Sequence, residues 1–337
     1  MKLGLSWAIA LLLVGSFPSD VFAKELSPRE IYEQDSPAVV MVMGYPDGGR
    51  RGSAGTGTII RADGYVLTNA HVVIDEQTTK PFPRLSVFLK PARVTGDHNT
   101  DLSRMVRARV VSFSQPLDLA LLKLDGVMQP LPVVQLSESE QSRIGDRVVA
   151  IGHPEQGGLW TLTTGVISAE VDNFNGVKGK NVFQTETGLN RGNSGGPLLD
   201  SEGHMVGVNT AIARIAPDGL PIASISFSLK SSVAASWMQQ QGVDSPSVKV
   251  GPASPAHTHA SGEPPISTRA IPRPPTGPTA KPDQSPNGQG DILQKQDVKE
   301  LGPPRPYNLD RLINDRAKAE ADLEEMMYEM RGRMKDR

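Results

Sequence analysis

The chain has 337 residues, of which 38% are hydrophobic and 21% are charged, as in an ordinary water-soluble globular protein. Its 35 basic and 37 acidic residues give a formal net charge of −2, which argues against nucleic acid as a partner. It contains no cysteine, which excludes disulfide bonds, thiol chemistry and lipid attachment at an N-terminal cysteine.

The N-terminal segment, residues 1–23, has the layout of a cleavable secretory signal. Lys2 supplies a positive charge, Leu3 to Val14 form an apolar run, and Val21-Phe22-Ala23 provide a cleavage site after Ala23. The run is shorter than the roughly 20 residues that span a bilayer. We therefore expect a secreted protein, periplasmic or extracellular after cleavage. An uncleaved membrane anchor is the alternative.

Residues 24–242 are predicted to form an all-β domain. Apolar and β-branched runs alternate with turn signals such as Asp63-Gly64 and Glu202-Gly203. Many short strands at this spacing indicate a barrel or a sandwich. Helices are expected only at Pro28–Gln34 and Ser231–Gln241. The predicted strands are 38–43, 57–60, 65–68, 85–89, 106–113, 119–124, 147–151, 161–171, 181–184, 197–199 and 204–212.

The remainder of the chain divides into a linker and a helix. Residues 243–306 hold fourteen of the 28 prolines and few aliphatic residues, so they are expected to form an extended or disordered linker. Within it, Pro272-Arg273-Pro274-Pro275 could dock in a polyproline-binding groove, although a spacer is the favoured interpretation.

Residues 307–337 form an amphipathic helical pattern, in which apolar residues recur at steps of three and four. The apolar residues are Leu309, Leu312, Ile313, Ala319, Leu323, Met326, Met327, Met330 and Met334. Such a stripe must pack on the helix's own domain, on a second copy or on a partner protein. The sequence leaves these three open.

Three short segments carry the chemistry of a nucleophilic hydrolase. His71 follows a predicted strand, Asp118 opens an apolar strand, and Ser194 lies in Gly192-Asn193-Ser194-Gly195-Gly196. A serine hydroxyl needs an adjacent base, a neutral histidine supplies it, and a buried aspartate orients that histidine. We predict these three roles for Ser194, His71 and Asp118.

The order of the three residues along the chain separates the possible folds. His, Asp, Ser is the chymotrypsin order, and it differs from the subtilisin and α/β-hydrolase orders. Ser194 is also followed by a proline and a strand, whereas the nucleophile elbow of an α/β-hydrolase leads into a helix.

The same segments resemble the signature stretches of the HtrA/Deg family of trypsin-like serine proteases. The resemblance covers residues 27–235 and rests on Thr68-Asn69-Ala70-His71-Val72-Val73, Asp118-Leu119-Ala120 and Gly192 to Leu198. It implies a chymotrypsin-like double β-barrel, with barrel one at about 36–130 and barrel two at about 140–230. It further implies a cofactor-free and metal-free endopeptidase that acts on unfolded or misfolded proteins and assembles as a trimer.

Further site residues are predicted around this triad. The backbone of Gly192, Asn193 and Ser194 is expected to form the oxyanion hole, with Gly192 and Ser194 as the principal N–H pair. The segment Gly207 to Ala211 resembles the family strand that pairs with substrate. The predicted substrate-binding residues are Gly188, Leu189, Asn190, Arg191, Val208, Asn209 and Thr210. Because no acidic residue precedes the nucleophile in the pocket region, we expect a preference for small or medium aliphatic P1 residues over Arg.

The sequence departs from the family pattern in two respects. No strand pattern for a PDZ domain follows the protease domain, so peptide sensing by a PDZ domain, and regulation built on it, is not expected. Arg191 stands where the family often has Pro, and Glu186 stands where it often has Asp. Two alternative functions stay open: a chaperone that holds unfolded chains in the cleft, and a peptide-binding scaffold whose C-terminal helix binds a partner.

Overall fold

The computed structural model describes residues 25–47, 52–137, 142–155, 157–212, 225–244, 247–248 and 310–318. The predicted signal segment, almost all of the predicted linker and most of the predicted C-terminal helix lie outside these residues. Within them, no helix is long and apolar enough to cross a membrane.

The described residues form mostly strands. The strands are β1 (Val39–Tyr45), β2 (Ser53–Arg61), β3 (Tyr65–Thr68), β4 (Arg84–Phe88), β5 (Met105–Ser114), β6 (Leu119–Leu124), β7 (Leu136–Ser137), β8 (Arg147–Gly152), β9 (Thr161–Val171), β10 (Val182–Thr185), β11 (Pro197–Leu199), β12 (Met205–Ile212), β13 (Ser226–Lys230) and β14 (Ser247–Val248). The helices are α1 (Pro28–Asp35), α2 (Ala70–Val73), α3 (His98–Asp101), α4 (Ser231–Gln240) and α5 (310–318), with short 3₁₀ turns at Ser36–Ala38 and Phe174–Gly176.

Barrel one is a closed ring of six antiparallel strands in the order β1-β2-β3-β6-β5-β4. The ring closes because β1 pairs with β2 on one side and with β4 on the other. All seven residues of β1 are buried, since one face lines the barrel and the other is covered by neighbouring elements. The hydrophobic run that predicted this strand therefore reflects burial on both faces.

Barrel two closes in the same way, through β8-β9-β10-β13-β12-β11. Here β11 pairs with both β8 and β12, and the short strands β7 and β14 extend the sheet by parallel pairings. The two closed rings confirm the predicted all-β, chymotrypsin-like double barrel.

The two barrels pack against each other and share one large hydrophobic core, and barrel two contains a second, smaller cluster of its own. Trp160, which is 2% exposed, donates from its indole Nε1 to the carbonyl of Val39 in barrel one at 2.7 Å. Closer to the crevice, the Thr56 N–H of barrel one donates to the Ser194 carbonyl of barrel two at 2.8 Å. The loop that carries Ser194 is thus fixed to both barrels.

Candidate active site

His71 is presented by the short helix α2, which follows directly on β3. Val72 and Val73 are buried in barrel one, whereas the His71 side chain remains 40% exposed. Because successive helical residues point in directions about 100° apart, the two valines anchor the turn while the imidazole faces outward into the crevice.

Asp118 occupies the turn immediately before β6. Its φ of 58° lies in the left-handed region, which Asp tolerates better than most residues. The Asp118 N–H donates to the Gln115 carbonyl. The Asp118 carbonyl accepts from the Asn69 side chain at 2.8 Å. Since Asn69 directly precedes α2, this bond fixes the Asp118 turn to the segment that carries His71.

The Asp118 carboxylate binds His71 at two points. It accepts from the imidazole Nδ1, at 2.8 Å to Oδ2, and from the His71 backbone N–H, at 3.1 Å to Oδ1. The Thr210 hydroxyl donates to Oδ2 at 2.7 Å. Burial alone would raise the pKa of Asp118, but the hydrogen bonds from His71 and Thr210 and the attraction of His71 hold that pKa below its ordinary value.

This carboxylate determines the tautomer of the histidine. An ionised carboxylate only accepts hydrogen bonds, so the proton between the two groups belongs to His71 Nδ1. The neutral imidazole therefore carries a lone pair on Nε2, the nitrogen that faces away from Asp118. That nitrogen is available to act as a base.

Ser194 lies in the segment 188–196 between β10 and β11, which we call the serine loop. Gly195 has a φ of +85°, and a Cβ at this position would lie 2.2 Å from the Thr56 carbonyl oxygen. Only glycine fits this close approach of the two barrels. The Gly195 N–H donates to the Asn209 carbonyl at 2.8 Å, which fixes the nucleophile segment to β12.

His71 and Ser194 line one cleft of about 560 Å³, together with Arg191 and Gly192. Among the described residues, no hydrogen bond joins the imidazole to the Ser194 hydroxyl. Contacts of this kind are often long in a free enzyme and shorten when substrate binds.

The oxyanion hole differs from the prediction at one residue. The Asn193 N–H donates to the Asn190 carbonyl at 3.0 Å within the serine loop, so it is not available to a substrate oxygen. The expectation of an Asn193 donor was therefore wrong. Within the described ranges, the N–H groups of Gly192 and Ser194 donate to no other group. They are the pair that remains able to bind an oxyanion.

A buried network behind Gly192 fixes the serine loop, and sequence reasoning missed it. The Thr56 hydroxyl donates to the Gly192 carbonyl at 2.6 Å and lies 3.0 Å from His153 Nδ1. Because the single hydroxyl proton is used on Gly192, His153 Nδ1 must donate to Thr56. Burial lowers the pKa of His153 to about 3, so this imidazole stays neutral.

Two of the predicted substrate-binding residues lie in the core. Val208 and Asn209 are 0% and 1% exposed, because both sides of β12 are occupied at these positions. Val208 pairs with β11 and β13, whereas Asn209 pairs with β13 and exchanges backbone hydrogen bonds with Gly195 and Gly196 of the serine loop. The Asn209 side chain donates to the Pro197 carbonyl and accepts from Ser228. The expectation that Val208 and Asn209 contact substrate was wrong, whereas Thr210 acts on Asp118.

The other predicted binding residues belong to the serine loop. Gly188 is exposed with no atom within 4 Å of a Cβ placed on it, and Leu189 packs partly against the core of barrel two. The Asn190 side chain binds within the loop, accepting from the Arg191 N–H at 2.8 Å. Arg191 forms ion pairs with Glu155 at 3.5 Å and with Asp310 of α5 at 2.9 Å.

Residues 55–208, which include all three predicted triad positions, match the trypsin-like peptidase domain family. Over 183 residues, 53% of this chain, the sequence is 38% identical to the magnetosome formation protease MamE of Paramagnetospirillum magneticum. It is 36% identical over 185 residues to a probable periplasmic DegP-like serine endoprotease of Rickettsia conorii. A structure of the HtrA-type protease AlgW with a tripeptide has a TM-score of 0.52 and 32% identity, covering 64% of this chain and 63% of AlgW.

This domain is similar in sequence and structure to the protease domains of the HtrA/Deg family. As a class, such domains are trypsin-like serine endopeptidases. The chain spans only 22% of MamE and 32% of the Rickettsia conorii relative, so the likeness concerns the protease domain and not the whole of those proteins. Among the described residues of this domain, no group of three or more His, Cys, Asp or Glu side chains is arranged to hold a metal ion.

Proposed function

We propose that the protein is a serine endopeptidase that cleaves unfolded or misfolded proteins through an acyl-enzyme on Ser194. The observation that carries this proposal is the Asp118 carboxylate, which binds both the Nδ1 and the backbone N–H of His71 beside Ser194. This arrangement leaves one imidazole nitrogen basic and turned away from the carboxylate. A histidine with a purely structural role does not need such a basic nitrogen.

The first half of the reaction forms the acyl-enzyme. Nε2 of His71 removes the proton of the Ser194 hydroxyl as Oγ attacks the scissile carbonyl carbon. The carbonyl oxygen becomes an oxyanion, which accepts from the N–H groups of Gly192 and Ser194. Asp118 stabilises the imidazolium that forms on His71. The imidazolium then gives its proton to the leaving amine, and the peptide C–N bond breaks.

The second half of the reaction releases the acyl group. His71 removes a proton from water as the water oxygen attacks the ester carbonyl carbon, and a second oxyanion forms at the same two N–H groups. The ester C–O bond then breaks, the proton returns from His71 to the Ser194 oxygen, and a carboxylic acid leaves. No cofactor takes part in this sequence of steps.

The strand β12 offers a surface for the main chain of a substrate. Around Ala211 and Ile212, β12 pairs with β13 on one side, whereas β11 pairs with β12 only at its first half. Among the described residues no strand pairs with the other side of β12 there, and an extended peptide can add to that side by backbone hydrogen bonds. Gly188 is exposed, Leu189 is apolar and partly buried, and neither is acidic, so we infer a preference for Val or Ala at P1 over Arg.

The location and assembly of the protein are inferred from its relatives. Several DegP-like relatives are described as periplasmic serine endoproteases, which supports a periplasmic location after removal of residues 1–23. The likeness to HtrA-type proteases supports protein substrates and a homo-oligomer, with a trimer as the specific expectation. Light scattering on the mature chain measures the oligomeric state directly.

Casein cleavage tests the proposed chemistry. Ser194→Ala removes the nucleophile and is expected to lower kcat by about 10⁴–10⁶-fold, because the remaining groups cannot form an acyl-enzyme. Ser236→Ala, on an exposed turn of α4, is the matched control and keeps wild-type activity. Equal rates for wild type and Ser194→Ala would refute the proposal, and the absence of cleavage by both would leave a cleft that only binds unfolded chains.

A further inference from the structure

The helix α5 packs on barrel one, beside the crevice. Leu312 and Ile313 are 8% and 2% exposed and belong to the shared hydrophobic core. A Cβ placed on Gly52 would lie 2.8 Å from the Ile313 side chain, so the helix sits directly against the start of β2. The buried face explains the apolar stripe of this part of the C-terminal segment, which here covers the chain's own domain.

A second set of contacts fixes the orientation of α5 on barrel one. The Arg316 guanidinium donates to the His98 carbonyl at 3.1 Å and lies over the Phe88 ring at 5.7 Å. Polar and apolar contacts therefore hold both the middle and the C-terminal half of the helix. Its first residue, Asp310, is consequently held in a defined place.

Asp310 reaches across the crevice to barrel two. Its Oδ1 accepts from the Arg191 guanidinium at 2.9 Å, and the other side of that guanidinium lies 3.5 Å from Glu155. Glu155 also donates its N–H to the Arg191 carbonyl at 2.6 Å. Arg191 is thus bound through both its side chain and its backbone, and α5 supplies one of these anchors from the opposite barrel.

The ion pair between Asp310 and Arg191 lies close to the proposed oxyanion hole. Arg191 immediately precedes Gly192, whose N–H is one of the two proposed oxyanion donors. Restraining Arg191 therefore restrains the peptide group that must point at the substrate oxygen. No described residue of α5 lines the cleft that holds His71 and Ser194, so the helix borders the catalytic cleft without filling it.

We propose that α5 is an intrachain clamp in which Asp310 is a positioning residue, holding Arg191 and with it the oxyanion-forming part of the serine loop. The inference rests on the proposed function, in that it assigns the helix a part in the same reaction. It gives the C-terminal segment a role in control of the protease that does not require a separate peptide-binding domain.

The test compares Asp310→Asn with wild type in the mature full-length chain. Three measurements are made: kcat and KM on a peptide substrate, the rate of Ser194 labelling by a fluorophosphonate, and hydrogen exchange of the serine-loop amides. An exposed ion pair contributes little by itself, so we expect kcat and the labelling rate to fall by about 2- to 5-fold with KM unchanged. Exchange in residues 190–196 is expected to become faster.

Asp315→Asn is the matched control, because Asp315 lies on the same helix, is 69% exposed and approaches Arg311 at 3.7 Å within the helix. It is expected to change none of the three measurements. A double-mutant cycle with Arg191→Gln tests the route of the effect: Asp310→Asn should add nothing once Arg191 is gone.

The outcomes separate the clamp from the chemistry. If wild type is not labelled, the proposed protease function fails, and hydrogen exchange still decides whether Asp310 restrains the loop. If wild type is labelled and Asp310→Asn is labelled equally fast, the clamp alone is overturned. Faster labelling of Asp310→Asn would mean that the helix is a brake, and additive effects with Arg191→Gln would exclude Arg191 as the route. Both results contradict the proposal.

Discussion

The substitution Thr56→Val tests whether the buried network behind Gly192 holds the oxyanion hole. Valine keeps the shape of threonine and removes only the hydroxyl. The hydroxyl donates to the Gly192 carbonyl at 2.6 Å and accepts from the His153 N–H at 3.2 Å and from His153 Nδ1 at 3.0 Å. Thr56 is 0% exposed, so water cannot replace the lost bonds without opening the structure.

The magnitude follows from the groups that lose their partner. Leaving a buried donor or acceptor unpaired costs about 1–3 kcal/mol per group. Relaxation around Gly192 and His153 recovers part of this, so we expect the free energy of unfolding to fall by about 2–4 kcal/mol. For a domain of this size the melting temperature should drop by roughly 4–16 °C. A displacement of the Gly192 peptide by about 1 Å would lower kcat by about 100-fold.

Thr58→Val is the matched control for this experiment. Thr58 lies on the same strand and the same face, two residues further along, and is also 0% exposed. Within the described part of the chain its hydroxyl has no hydrogen-bond partner. Removing that hydroxyl should leave stability equal or raise it by about 1 kcal/mol, because an unpaired polar group is replaced by a methyl group.

The two variants are compared by urea unfolding and by kcat on a peptide substrate at a temperature well below both melting transitions. The reasoning predicts a loss of both stability and kcat for Thr56→Val alone. If Thr56→Val is as stable and as active as Thr58→Val, the hydroxyl does not hold the loop. If only stability falls, the network supports the fold without setting the oxyanion geometry.

Three further predictions follow from single contacts. Asp118→Asn turns an amide toward His71 and favours the wrong tautomer, so kcat on a peptide substrate should fall by about 10⁴-fold with the melting temperature little changed. Burial raises the pKa of Asp35 to about 7 from 3.8, so ionisation favours the unfolded state and wild-type stability falls between pH 4 and 7. In urea titrations Asp35→Asn should be more stable than wild type at pH 8, by up to about 4 kcal/mol, with no difference below pH 4. Trp160→Phe leaves the Val39 carbonyl unpaired and should cost about 1–3 kcal/mol of unfolding free energy, measured by the same titration.

Part of the fold and of the candidate site could be predicted from the sequence, because the signals for them are local. The short apolar runs predicted most of the strands, and the order of His71, Asp118 and Ser194 selected the double barrel among the folds that carry such residues. The glycines at 192 and 195 were also part of the sequence pattern around Ser194. Both positions have a positive φ, which other residues rarely adopt.

Other predictions failed because burial and pairing depend on both neighbours of a strand. The resemblance of their segment predicted that Val208 and Asn209 contact substrate. In the structure β11 and β13 flank β12 at Val208, and the serine loop and β13 flank it at Asn209. The Asn193 N–H was counted as an oxyanion donor, but the serine loop turns it inward to Asn190. Neither fact is encoded in the residues of the segment itself.

The sequence by itself determined which residue types meet in the crevice: a serine between glycines, a histidine after a strand and an aspartate before one. Only the tertiary structure decided what holds them there. Thr56 reaches Gly192 across 136 residues of sequence, and Asp310 reaches Arg191 across 119. Contacts at such separations leave no periodicity or spacing in the chain, because they arise only when two closed barrels and a returning helix bring distant backbone segments together.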